Sequence, residues 1–104
     1  MNKNNFGTPF YATGTGSTVA VATYTGVTSQ TAYITDISGS SDLATSTILV
    51  KDGSTTIWQD IVGAGSYRMN FLTPLPATSG ATVTITVTGS AACKGNMSGF
   101  YNNN

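Results

Sequence analysis

Thr82-Val83-Thr84-Ile85-Thr86-Val87-Thr88 alternates threonine with a β-branched apolar residue without a break. A strand sends successive side chains to opposite faces, so Val83, Ile85 and Val87 share one side and the four threonines the other. β-Branched side chains are stiff about χ1 and sit better on a pleated sheet than in a helix. Period and propensity therefore agree on a half-buried strand.

Working outward, the same alternation recurs upstream in Ser17-Thr18-Val19-Ala20-Val21-Ala22-Thr23-Tyr24, where Val19 and Val21 point the same way. A further strand is expected at Ala32-Tyr33-Ile34-Thr35-Asp36-Ile37, with Tyr33, Thr35 and Ile37 opposing Ile34. Thr47-Ile48-Leu49-Val50-Lys51 and Ser54-Thr55-Thr56-Ile57-Trp58-Gln59 flank Asp52-Gly53. Asp-Gly between two strand-like runs predicts a type I′ hairpin, because glycine readily takes the positive φ that turn needs. Tyr67-Arg68-Met69-Asn70-Phe71 forms another strand, which Pro74-Leu75-Pro76 is expected to end. Asn96-Met97-Ser98-Gly99-Phe100-Tyr101 supplies the last.

About seven short strands, parted by Gly, Ser, Asn and Pro turns and with no helical period, predict an all-β fold: a small antiparallel β-sandwich or barrel, jelly-roll-like or Ig-like. The 104 residues suit one core, expected over residues 17–104. Residues 1–16 read differently. They are rich in Asn, Gly and Thr, yet carry Phe6, Phe10 and Tyr11, which suggests an extended N-terminal arm that orders against a partner. Deleting such an arm would leave the sandwich folded and weaken assembly.

Charged residues make up only 8% of the chain: Lys3, Lys51, Arg68 and Lys94 balance Asp36, Asp42, Asp52 and Asp60. A typical soluble domain is about 25% charged, and a weakly charged, neutral surface favours self-association. Four scattered cations build no basic face for nucleic acid. No apolar run reaches membrane-spanning length. Residues 1–7 place no apolar run behind their lysine, unlike a secretory leader, and Cys93 stands alone, so cytoplasmic assembly is expected.

The chain contains neither His nor Glu, which removes the usual general base and the commonest transition-metal ligand. Asp52 and Asp42 read as turn residues. Asp36 and Asp60 form a catalytic pair only if the fold makes them face each other. The abundant Ser and Thr have no partner that could activate them. Gly63-Ala64-Gly65 lacks the helix of a phosphate loop and reads as a turn, and the Asp36-to-Asp42 spacing matches no calcium loop. No catalytic residue, metal, cofactor or small-molecule substrate is expected.

The residues suited to an interface are Phe6, Phe10, Tyr11, Trp58, Tyr67, Arg68, Phe100 and Tyr101. Large aromatics and arginine dominate interface energetics, although Trp58 reads first as a core or edge-packed residue and second as an exposed platform.

Ile34-Thr35-Asp36-Ile37, Ser40-Ser41-Asp42-Leu43-Ala44, Val50-Lys51-Asp52-Gly53 with Ile57-Trp58, and Phe71-Leu72-Thr73-Pro74-Leu75 together resemble the small β-sandwich decoration (cement) proteins of tailed-phage capsids. The resemblance covers about residues 32–101. It implies a virion structural protein on the capsid surface, bound to the major capsid protein and to its own copies, as a homotrimer. The rival expectation is a carbohydrate-binding β-sandwich of a phage fibre or tail tip, with Trp58, Tyr67 or Tyr101 as stacking platforms.

Overall fold

The Thr/Val run becomes a central strand whose Val83, Ile85 and Val87 are all 0% exposed, and the rest of the chain is arranged around that column. The computed structural model describes residues 7–103. Among them are eight strands: β1 (Thr8–Gly16), β2 (Val19–Tyr24), β3 (Gln30–Ser41), β4 (Ser46–Asp52), β5 (Thr55–Val62), β6 (Gly65–Pro76), β7 (Val83–Thr88) and β8 (Cys93–Asn103). They form two four-stranded antiparallel sheets, ordered β1-β8-β3-β6 and β2-β7-β4-β5, so the chain is an all-β sandwich. Pairing is nested: β1 with β8, β2 with β7, β3 with β6 and β4 with β5. Only the β4–β5 hairpin stays within one sheet, and every other connection among the described residues crosses to the opposite one.

Both sheets feed one core. β7 and β4 supply Val83, Ile85, Val87, Ile48 and Val50, while β3 and β8 supply Ala32, Ile34, Ile37, Cys93 and Met97. Full burial of a Val or Ile side chain stabilises by about 1.5–3 kcal/mol, so this layer dominates the fold. Two buried serines close one end: Ser41 and Ser46 both donate their hydroxyls to the Thr88 carbonyl, at 2.8 and 2.7 Å. Thr47 N–H in turn donates to the Thr88 hydroxyl.

Several local expectations change. Residues 8–16, expected in an extended arm, are strand β1, paired with β8 over nine positions from Thr8↔Tyr101 to Gly16↔Cys93. The glycines of this stretch are what let β1 lie against β2. A Cβ on Gly16 would run into the Val19 carbonyl, and one on Gly14 into the Val21 carbonyl. The expectation at Phe6 lies outside the described residues.

In β3 the register slips between Ile34 and Asp36. This bulge turns Ile37 to the same side as Ile34, both buried, where strict alternation opposes them. The register of β4 on β5 slips likewise, since Val50 faces Trp58 while Lys51 faces Thr56, and Ile57 is left over. Ile57 and Trp58 therefore both pack against the core, although they are neighbours.

The hairpin turn is Gly53-Ser54, with Asp52 still in the strand opposite Thr55. Gly53 has φ +62° and Ser54 is not in the positive-φ region, which is the II′ pattern in place of the expected I′. Asp52 is instead used sideways, accepting the N–H and hydroxyl of Thr78. Pro76 is the last residue of β6, while Pro74, also expected to end the strand, lies inside it, on an edge strand where a missing N–H is tolerated.

The close approach of β1 and β2 can be tested directly. Gly16→Ala is expected to cost about 1–3 kcal/mol in urea denaturation. Gly63→Ala, whose Cβ would meet only the Ala44 carbonyl at 3.9 Å, should stay within about 0.5 kcal/mol of the parent. A chain lacking residues 1–16 should lose its cooperative unfolding transition in circular dichroism, because β8 would lose its outer partner.

Candidate functional site

A sandwich uses alternate residues for its core and shows the remainder on two outer faces, so any interaction site is built from those remainders. On the second sheet, one row carries the pairs Val19–Thr88 and Thr47–Ile61, joined by the Thr47 N–H to the Thr88 hydroxyl, and the ladder aligns Val21, Thr86, Leu49 and Gln59 in the next. A third row carries Thr23, Thr84, Lys51 and Thr56. Val19 (47%), Val21 (45%) and Ile61 (65%) are exposed. The face is thus valine, leucine, isoleucine and threonine methyl groups, with Lys51 as the one charge in these three rows.

The polarity of β2 is decided by space. Val19 and Val21 share a side, as the alternation requires, but it is the outer side; Ala20 and Ala22 fill the core. The sheets converge at the β1/β2 edge, where a Cβ on Gly16 would already lie 3.5 Å from Ala20 Cα. That gap accepts a methyl group and no branched side chain.

The first sheet presents a different face. Its rows read Pro9, Phe100, Tyr33 and Pro76 at one end, then Tyr11, Ser98, Asp36 and Asn70. Thr13, Asn96, Ser38 and Arg68 follow, then Thr15, Lys94, Ser40 and Ser66. Tyr33 and Phe100 stack with ring centroids 5.0 Å apart. Thr13 and Tyr11 both donate their hydroxyls to Asn96 Oδ1, at 2.6 and 3.1 Å. Asn96 Nδ2 donates to Ser38 Oγ at 3.4 Å. Asn70 Nδ2 and the Thr35 hydroxyl both donate to Asp36.

The candidate residues separate accordingly. Tyr11 and Arg68 are exposed on the outer face of the first sheet, and Phe100 is half-buried there. Phe10 turns inward against Tyr24, with centroids 4.4 Å apart, and Tyr101 lies 6.0 Å from the same ring. Trp58 pairs with Val50 on the inner side and meets Phe71 of β6 edge-on at 5.5 Å and 81°, bridging the sheets where β5 and β6 part. Tyr67 packs against the core. Sequence reasoning passed over Val19, Val21, Leu49 and Ile61 as surface residues. Their signal was present in the Val-Ala alternation, but both halves of that pattern are apolar, and period alone cannot say which half is buried.

The acidic residues do not assemble. Asp36 is on the outer face of the first sheet, whereas Asp60 is on β5 at the edge of the second, paired with the inward-facing Ile48, so they do not form a pair. Asp36 and Asp42 sit six residues apart along extended chain, about 20 Å, too far to hold one ion. Asp42 accepts the N–H groups of Ser90 and Ala91, both at 2.8 Å. The Ser90 N–H foremost holds its carboxyl below the ordinary range. Among the described residues no three acidic or thiol groups come together as metal ligands. Burial pushes the Cys93 thiol up, and the nearby Asp42 carboxylate adds to this, so it is a poor nucleophile.

No protein-family model matches the chain, and no curated protein matches it either.

The interior phenols give a pH prediction. Burial, with Cys93 beside it, pushes Tyr67 up to about 12, and burial with Tyr101 raises Tyr24. Both hydroxyls are buried without a hydrogen-bond partner. A phenol raised in the folded state keeps its full contribution below the unfolded value near 10, and stability is lost as pH rises from there through about 12. The melting temperature should therefore fall above about pH 10, and Tyr67→Phe should remove part of that fall. At neutral pH the same variant should gain about 1 kcal/mol, since it deletes an unpaired buried hydroxyl. Thermal denaturation across pH checks both.

Proposed function

We propose that this chain is a virion structural protein, a decoration module that covers the outside of a phage capsid through its own copies and the shell. The observation that carries the reading is the outer face of the second sheet, where Val19, Val21, Leu49 and Ile61 stand among threonines with almost no charge. A flat face of this kind packs by apolar and backbone contact.

Its size sets what it can do. Four strands at about 4.8 Å spacing and six residues at about 3.3 Å give roughly 400 Å², about half of what one partner contributes to a standard interface. A single contact of that area is weak. Linking three copies makes later contacts intramolecular and raises avidity by about 10² to 10⁴, which favours the homotrimer. The resemblance to capsid decoration proteins points the same way. The nested strand pairing is read as a jelly roll, an architecture used by viral capsid domains and lectins alike, so the fold permits the role without selecting it.

The carbohydrate-binding alternative has less support in its original form, because Trp58 and Tyr67 turn into the sandwich and Tyr101 is half-buried.

Sedimentation velocity should find the purified chain as a trimer that persists in about 1 M salt, since few charges are available to screen. Val21→Asp should shift it to monomer without unfolding, because Val21 is outside the core. Co-sedimentation with capsids should likewise survive molar salt in the parent and fail in Val21→Asp. Loss of binding at high salt, or a Val21→Asp variant that assembles normally, would overturn the reading.

A further inference from the structure

We propose that the outer face of the first sheet binds an acidic oligosaccharide, one ring seated on Tyr11 and the carboxylate of a neighbouring residue held by Arg68 and Lys94. Two adjoining clefts lie on this face. The larger, about 510 Å³, is lined by Ser38, Ser40, Ser66, Arg68, Lys94 and Asn96 among others. The smaller, about 300 Å³, is lined by Tyr11, Asp36, Ile37, Ser38, Arg68 and Ser98. Ser38 and Arg68 line both, so the two adjoin and make a trough along the face. The volumes fall in the range of small-ligand sites.

The chemistry of the trough is uneven along its length. Arg68 and Lys94 are two of the three cations among the described residues, and both line the larger cleft, which no carboxylate lines. The smaller cleft does hold a carboxylate, Asp36, but Asn70 and Thr35 already hydrogen-bond it. One end is therefore positive and uncompensated, while the other is neutral to acidic and rich in hydroxyl and amide groups. Tyr11, 67% exposed, is the one exposed aromatic ring among the described residues, and it stands at that other end.

A ligand matching this profile has a ring face for Tyr11, hydroxyls for Asp36, Ser38 and Ser98, and a single anionic group for Arg68 and Lys94. An acidic oligosaccharide has all three. Inorganic anions would leave Tyr11 and Asp36 unused. A polyanion such as nucleic acid or a densely sulfated chain would place charge against Asp36, and two cations neutralise too few phosphates. Tyr11 on β1 and Arg68 on β6 are three strand spacings apart, about 14 Å, so the trough accommodates more than one ring.

The site is also held in shape. The Tyr11 hydroxyl is tied to Asn96 Oδ1, and Thr13 donates to the same oxygen. This anchors the tyrosine ring by its edge and leaves its face open. With its oxygen so occupied, Asn96 directs Nδ2 toward Ser38 and the trough. Ordering these groups before a ligand arrives lowers the entropic cost of binding.

The inference does not rest on the decoration reading, because the trough lies on the opposite outer face from Val19, Val21 and Ile61. If copies and shell cover the second sheet, this face is left pointing away from the particle.

The test is an NMR titration of the isolated full chain with sialyllactose, a glucuronic-acid disaccharide, lactose and sodium sulfate. At least one acidic saccharide should bind in the millimolar range or tighter, perturbing Tyr11, Ser38, Arg68 and Lys94 amides. Lactose and sulfate should each bind at least about tenfold more weakly, and Arg68→Gln or Lys94→Gln should cost about tenfold each for the acidic probe. Tyr11→Ala should weaken both acidic and neutral sugars. The three side chains are exposed, so the variants should keep the parent melting temperature. Equal binding of lactose or sulfate, shifts confined to the second sheet, or no shift with either acidic saccharide would overturn the proposal. None of these results bears on trimer formation, which sedimentation reads separately.

Discussion

The structure depends on the column Val83, Ile85 and Val87, set at the centre of one sheet and covered by Ile34, Ile37 and Met97 from the other. Because β7 is flanked by β2 and β4, its backbone is satisfied on both sides. Its inner face then has one way to leave water, which is to be capped by the second sheet. Six of the seven connections between the eight described strands cross between the sheets, so the same burial event that covers β7 also sets the path of the chain. Such long-range pairing predicts slow folding, since each crossing must close before its contacts form.

A second constraint is geometric. The sheets converge at the β1/β2 edge, where glycine and alanine are all that fits, and diverge at the β5/β6 edge, where Trp58 and Phe71 meet. This taper sends the valines of β2 outward and draws Trp58 inward. Both outcomes bear on function. The first makes the outer face of the second sheet apolar, and the second removes the large aromatic best suited to an exposed platform.

The two outer faces divide the remaining chemistry between them. One is aliphatic and threonine-rich, with Lys51 the one charge in its three rows and Asp60 at its β5 edge beside Ile61, suited to broad contact with protein. The other carries Arg68, Lys94, Asp36 and the exposed ring of Tyr11 over hydroxyls and amides, suited to directional bonds. With so few charges in the chain, the concentration of three of them on one face is what gives the molecule two unlike sides.

Read alone, the sequence determined the all-β class, the inward set of β7, the β4–β5 hairpin and the lack of the residues that most catalysis uses. Each of these follows from local period, turn chemistry or composition, which neighbouring strands do not alter. Tertiary structure decided the rest. Bulges at residues 35 and 57 reset which side chains face the core, and a bulge depends on how partner strands register, which no single strand encodes. The narrow β1/β2 gap decided between two apolar halves of Val-Ala-Val-Ala. Residues 8–16 became a strand because β8 offered them a nine-residue edge and β2 lay close enough to require their glycines. The trough on the first sheet joins side chains from four strands, as distant in sequence as Tyr11 and Ser98, and only their pairing made it visible.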